Sequence, residues 1–161
     1  MAGAALYRHG VHNMNGNGVG DGPPYPDVGL LDALAVRPDM RRRGVGAAMV
    51  KWAEADLRRA GSRVMTLQCW ESARAFYEAL RYRVEEPEVA ALTFFPRQER
   101  KVWTSHRPVE EPGARMVWKS LTGGRTRSAP YTHPLRGTYG VMVRGLIPGD
   151  DRRRPDWPAV S

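Results

Sequence analysis

From Val45 onward, apolar residues recur at 45, 48, 49, 52, 53, 57 and 60, which traces one face of an α-helix. Lys51, Glu54, Arg58 and Arg59 take the other side, with Glu54 and Arg58 at i,i+4 spacing. Gly61 stands where a C-terminal cap is expected. Two apolar runs bracket this helix. Leu30–Val36 (LLDALAV) is apolar apart from Asp32 and is stopped by Pro38, so it predicts a buried strand. Arg63–Trp70 (RVMTLQCW) predicts another. Strand, crossover helix and neighbouring parallel strand make a βαβ unit. Ser72 is placed to cap a second helix, Ala73–Leu80, with Phe76 and Leu80 on one face.

The pattern is thinner elsewhere. Ala4–Tyr7 reads as a short strand, and residues 10–29, rich in Gly, Asn and Pro, as a flexible loop. Residues 84–112 show no clear period, whereas Ala114–Leu121 (ARMVWKSL) reads as one more strand. Turn signals run from Thr122 to the end, with GTYGVMVRGL a weak strand at best. The expected division is therefore 1–29 (short strand and loop), 30–121 (the folded domain) and 122–161 (a basic Gly/Pro-rich tail).

Composition adds a charge bias. Lys and Arg exceed Asp and Glu by 25 to 17, and residues 122–161 hold seven arginines against three aspartates. Such an excess suits an anionic partner: nucleic acid, an acidic membrane surface or a polyphosphate ligand. A nucleic-acid-binding module built on Arg41–Arg43 and the tail is one reading, although no aromatic-interleaved recognition motif accompanies it. The single cysteine, Cys69, excludes an internal disulfide and fits a reducing compartment. No apolar run approaches the roughly 18 residues of a membrane span, and the first residues lack a signal-peptide design. A soluble cytoplasmic protein is expected, with a nuclear location also compatible.

The candidate chemistry lies between the first strand and the first helix, in Arg41-Arg42-Arg43-Gly44-Val45-Gly46. A loop of small residues opening a helix presents free backbone N–H groups at the positive end of the helix dipole, where anions bind. The arginines can add charge and paired hydrogen bonds to phosphate oxygens. The spacing is neither G-x-x-x-x-G-K-[ST] nor G-x-G-x-x-G with an acidic residue some 20 positions on. Taken alone, the two glycines favour a plain basic turn over a cradle.

The wider stretch, LDALAVRPDMRRRGVGAAMV from Leu31 to Val50, closely resembles motif A of the GNAT superfamily of acyl-CoA N-acyltransferases: an apolar strand, then Arg/Gln-x-x-Gly-x-Gly/Ala opening a helix. Arg41, Gly44 and Gly46 fill the signature positions. A second family signature, Asn-x-x-Ala-x-x-(Phe/Leu)-Tyr-x-x-x-Gly-(Phe/Tyr), is matched by WESARAFYEALRY at 70–82 through Ala73, Phe76, Tyr77 and Tyr82. Trp70 stands where Asn is usual and Arg81 where Gly is usual. The resemblance is strong over 30–82 and extends toward Leu121.

The resemblance implies an α/β (α+β) GNAT-like fold, a mixed and mostly antiparallel sheet flanked by helices. It implies an N-acyltransferase that carries an acetyl group from acetyl-CoA to an amine-bearing acceptor. The pyrophosphate of acetyl-CoA would lie on the loop, at Arg41, Arg42, Arg43, Gly44, Val45, Gly46 and Ala47. The pantetheine arm would pair with the preceding strand at Leu34, Ala35 and Val36. Tyr77 falls where the family often places the general acid for the departing thiolate; its bland alternative is a half-buried packing aromatic. The position of the strand Glu that serves some members as base is Met65. Glu71 is a poor substitute, better suited to a charge near a helix N-terminus. Cys69 as a nucleophile is weaker than Cys69 as a buried thiol, and His9 with His12 lack a third ligand for a metal.

The family carries further strands and two helices before motif A, but only about 30 residues precede it here. The first strands are thus expected to be missing, as a truncated gene start, a fragment or a degenerate paralogue would leave them. A CoA-binding pseudoenzyme is the alternative. The acceptor, the general base and the oligomeric state have no signal in the sequence.

Overall fold

The computed structural model describes residues 2–11, 25–94, 103–106, 113–123, 127–133 and 138–144. The centre is a sheet in the order β1-β2-β3-β7-β4, built from β1 (Gly3–Val11), β2 (Tyr25–Val36), β3 (Val64–Trp70), β7 (Ala114–Ser120) and β4 (Arg83–Val84). Only β2 and β3 run parallel; the other neighbours are antiparallel. The fold is mixed α+β with a mostly antiparallel sheet, as expected.

Helix α1 (Val45–Arg59) connects β2 to β3, completing the expected βαβ unit. It ends in a Schellman motif: Ser62 N–H reaches Leu57 O at 2.8 Å, Gly61 N–H reaches Arg58 O at 3.1 Å, and Gly61 has φ 100°. Beneath α1, Gly29 leaves the space that Leu57 fills, since a Cβ there would lie 2.7 Å from Leu57 Cδ1. The buried face comprises Val50, Ala53, Glu54 and Leu57. That differs from the predicted stripe: Trp52 is exposed, and Glu54 is buried rather than paired with Arg58. Arg58 instead donates to Leu121 O at 2.7 Å. The reason is tertiary: Glu54 accepts from Tyr82 Oη at 2.9 Å and Lys119 Nζ at 2.8 Å.

A 3-10 turn at Glu71–Ala73 leads into α2 (Arg74–Ala79). Ser72 falls inside that turn and makes no cap; α2 begins after Ala73 without a side-chain cap bond. Both helices lie on one face of the sheet, over a cluster that includes Leu31, Met65, Leu67, Cys69, Tyr77 and Val117.

The other face meets a second sheet in the order β6-β5-β9-β8, from β5 (Ala91–Phe94), β6 (Trp103–His106), β8 (Arg127–His133) and β9 (Thr138–Arg144). Val28, Val64, Met116 and Trp118 of the first sheet pack with Leu92, Phe94, Val141 and Val143 of the second. The Phe94 and Trp118 rings meet edge-on at 6.2 Å. Segments without a readable period therefore supply this sheet. The segment read as tail contributes β8 and β9, and the weak GTYGVMVRGL signal contains β9. β2 likewise begins at Tyr25, inside the expected loop; residues 12–24 of that loop lie outside the described residues.

Candidate functional site

Past Val36 the chain makes a tight turn before α1. Arg37 N–H donates to Ala2 O at 3.0 Å, and Met40 N–H to Arg37 O at 3.0 Å. Arg37 Nε donates to Asp39 Oδ1 at 2.9 Å, and this guanidinium holds the Asp39 carboxyl below its usual range. Arg42 and Gly44 then adopt left-handed conformations, φ 60° and 79°. A non-glycine in that region costs roughly 1–2 kcal/mol, so Arg42 holds local strain. The first intrahelical bond is Ala48 N–H to Gly44 O at 3.0 Å. No acceptor among the described residues takes the amides from Arg42 to Ala47. Successive amides alternating in hand make an anion-binding concavity, here at the positive end of a helix of 15 residues.

The two glycines do different work. A Cβ on Gly44 would meet nothing within 4 Å, so the positive φ accounts for glycine there. A Cβ on Gly46 would lie 3.4 Å from Phe76 and 3.5 Å from Val36, which puts the end of β2, the start of α1 and α2 in contact. The arginines also divide. Arg41 Nε donates to Val36 O at 3.2 Å and braces the loop, while Arg42 and Arg43 are exposed.

β2 and β3 pair only at Val28–Val64, Gly29–Met65 and Leu30–Thr66. Beyond Leu30, β2 keeps β1 on one side, and on the other no described strand pairs with Leu31–Val36. Asp32 is skipped between the Leu6–Ala33 and Tyr7–Leu31 pairs, a bulge at the point where the strands part. Leu34, Ala35 and Val36 thus border an open strand edge. A depression of about 310 Å³, lined by Gly3, Ala4, Ala35, Val36 and Arg37, adjoins their end.

Tyr77 is buried on α2, with Phe76 edge-on at 5.0 Å and Tyr82 at 5.6 Å. Its hydroxyl has no hydrogen-bond partner among the described residues, yet it is not sealed from solvent. Burial first, and the Cys69 thiolate second, push its pKa up to about 12. Cys69 is buried, and burial pushes its thiol up as well, which suits packing rather than nucleophilic attack. Glu71 is held by Arg115 and lies 3.9 Å from Arg74. Met65 is fully buried and Trp70 is exposed. Arg81, which stands where the motif has Gly, keeps the glycine-like φ of 63°. It closes α2 with Arg81 N–H to Glu78 O at 2.8 Å and Tyr82 N–H to Tyr77 O at 3.0 Å. The side chain of His9, and all of His12, lie outside the described residues.

Two polar clusters escaped the sequence reading. Lys119 Nζ, on β7, joins Glu54 of α1 to Leu80 O at the end of α2, at 2.8 and 2.9 Å. Arg115, also on β7, joins Glu71 to Glu85 O at 3.1 Å and Glu86 at 3.3 Å. Their only local signal is a charged residue inside an apolar strand pattern.

No curated protein matches the chain in sequence. Among solved structures, similar ones include a GNAT-family protein from Desulfovibrio desulfuricans, 19% identical with a TM-score of 0.49, covering 76% of this chain and 63% of that one. The ribosomal-protein-S18-alanine N-acetyltransferase from Escherichia coli is 17% identical with a TM-score of 0.42, covering 73% and 59%. A Bacillus subtilis acetyltransferase in complex with CoA is 15% identical with a TM-score of 0.44, covering 73% and 66%. This chain thus spans less than two thirds of the length of each. No helix among the described residues is long and apolar enough to cross a membrane. Residues 2–82, half of the chain and the part that holds the parted strands, the cradle and Tyr77, match the Acetyltransferase (GNAT) family, and the chain belongs to that family.

Proposed function

We propose that this protein binds acetyl-CoA along the parted β2–β3 edge and transfers its acetyl group to the amine of an acceptor. One observation carries the reading: β2 and β3 separate after Leu30 and Thr66, directly beside a loop whose amides, from Arg42 to Ala47, have no acceptor among the described residues. The open edge of Leu34, Ala35 and Val36 offers backbone groups to an amide-bearing chain, in the manner of strand addition. The cradle offers N–H groups and the helix dipole to a pyrophosphate, with Arg41 bracing it and Arg42 and Arg43 adding positive charge. The fit is therefore to a ligand with an extended amide arm and a diphosphate. Acetyl-CoA supplies a thioester, which an unprotonated amine can attack.

Within that reading, the amine nitrogen bonds to the acetyl carbon as the C–S bond breaks, Tyr77 donates the proton that the departing thiolate takes up, and the proton shed by the nitrogen returns through water to the phenolate. The raised pKa of Tyr77 keeps the phenol protonated across the neutral range, and its hydroxyl has no described partner to compete for the proton. A backbone N–H on the edge of β2 that parts from β3, at Leu34 to Val36, would donate to the carbonyl oxygen as negative charge builds on it. Transfer to the amine, and cytoplasmic action, belong to this proposal.

Calorimetry with acetyl-CoA tests the cradle. Gly44→Glu puts a carboxylate among the amides while Gly44→Ala adds only the strain of a side chain at φ 79°, so affinity is expected to fall at least tenfold further in Gly44→Glu than in Gly44→Ala. An unchanged affinity removes the cradle from the reading. Release of free thiol with a panel of amines tests turnover; binding without release would leave a CoA-binding protein with no transferase activity.

A further inference from the structure

We infer that, given the role of Tyr77 proposed above, Tyr82, Glu54 and Lys119 are positioning residues that together fix the ring of Tyr77. Tyr77 makes no polar contact of its own that would locate it. Its hydroxyl has no hydrogen-bond partner among the described residues, so its packing and its backbone set the place of the ring. Two rings meet it edge-on: Phe76 at 5.0 Å and 75°, and Tyr82 at 5.6 Å and 73°. The two neighbours differ in what they touch. Phe76 borders the cradle, next to Gly46. Tyr82 is buried, and its hydroxyl is held from below.

Tyr82 Oη donates to Glu54 Oε1 at 2.9 Å and stands 3.2 Å from Met65 Sδ. The same carboxylate oxygen accepts from Lys119 Nζ at 2.8 Å. That ammonium also donates to Leu80 O at 2.9 Å and lies 5.0 Å from the centre of the Tyr82 ring. Leu80 and Tyr82 both return to Tyr77, since the N–H of each donates to Tyr77 O at 3.0 Å. Tyr77 is thus held twice, by its backbone carbonyl through residues 80 and 82 and by its ring through Tyr82. The anchors belong to α1, to β7 and to the turn after α2. The place of Tyr77 is therefore referred to the body of the domain rather than to its own helix of six residues.

Stability alone does not call for these charges. A buried ion pair roughly breaks even against apolar residues of similar volume, because taking both charges out of water offsets their attraction. An apolar residue at position 54 would simply continue the buried face of Val50, Ala53 and Leu57. What the carboxylate adds over a methyl group is direction, since a charge-assisted hydrogen bond requires the Tyr82 hydroxyl at one place. A tyrosine ring without such a tether turns within a broad torsional well. Displacing a reacting group by about 1 Å can cost roughly 100-fold in rate, so the tether matters most beside a group that must deliver a proton.

Tyr82→Phe keeps the ring and removes the tether, and Lys119 still neutralises Glu54, so circular dichroism should show the fold retained. In protein labelled with ¹³C-tyrosine, the Tyr77 ring signals are assigned by their loss in Tyr77→Phe. They are expected to shift or broaden in Tyr82→Phe, and to stay in place in Glu54→Gln, whose side-chain carbonyl still accepts from Tyr82. With acetyl-CoA and the fastest amine of the panel, Tyr82→Phe should lower kcat about tenfold while KM for acetyl-CoA stays within twofold. In the Tyr77→Phe background the same substitution should add no further loss, because the two act as one unit. Tyr77 signals that Tyr82→Phe leaves unmoved, or a kcat loss equally large in both backgrounds, overturn the inference. A rate indifferent to Tyr77→Phe overturns instead the assignment of Tyr77 as proton donor, and the ring signals still decide whether the tether holds it.

Discussion

At Tyr77 and Arg81 the backbone and the environment matter as much as the side chain. Arg81 replaces the glycine of the family motif but keeps its left-handed φ, so the turn that closes α2 survives at a cost of roughly 1–2 kcal/mol. Tyr77 is thereby held one turn earlier, against β3. Tyr77→Phe should lower the transfer rate about 100-fold, within the range for loss of a general acid, while acetyl-CoA affinity by calorimetry stays within twofold. Its alkaline behaviour follows from the direction of its shift. The folded pKa, about 12, lies above the unfolded value of 10, so the phenol's contribution to stability is full below pH 10 and is lost as pH rises toward 12. Tyr82, raised by burial and by Glu54, acts in the same direction. Tyrosinate absorbance should therefore appear late and together with unfolding, and less steeply in Tyr77→Phe.

At the scale of elements, the two helices that carry the candidate site are tied to each other through β7. Lys119 bonds Glu54 on α1 and the carbonyl of Leu80, just past the end of α2, and its ammonium stands 5.0 Å from the centre of the Tyr82 ring. Lys119→Met leaves the Glu54 carboxylate buried without its cation, a loss of about 3–5 kcal/mol for a buried pair broken on one side. Urea denaturation should show that loss, and adding Glu54→Gln should recover part of it, because the amide can still accept from Tyr82. Helix periodicity assigned Glu54 to solvent. It is the ammonium from a strand 65 residues away that keeps it inside.

For the whole molecule, the decisive element is the second sheet. It covers the sheet face that lacks helices, through Leu92, Phe94, Val141 and Val143. Phe94 is fully buried, and Phe94→Ala should cost about 3–5 kcal/mol. Calorimetric melting would register this as a single transition moved to lower temperature if the two sheets share one core. Two separate transitions, with only one displaced, would show that they do not.

The sequence by itself determined the βαβ unit, the strand at Ala114, the loop with its two glycines, and membership of a family recognised through Arg41, Gly44, Gly46, Ala73, Phe76, Tyr77 and Tyr82. These are local matters: a 3.6-residue period, a positive φ that glycine satisfies, and a run of amides at a helix start are all written in adjacent residues. Only the tertiary structure decided where β2 and β3 part, what Glu54 faces, and which strands cover the open face. Strand separation depends on a bulge and on the pairing of β2 with β1. A buried carboxylate depends on partners remote in the chain. Strands β4, β5, β6, β8 and β9 owe their existence to neighbours rather than to a period of their own, and such neighbours are visible only once the chain has folded.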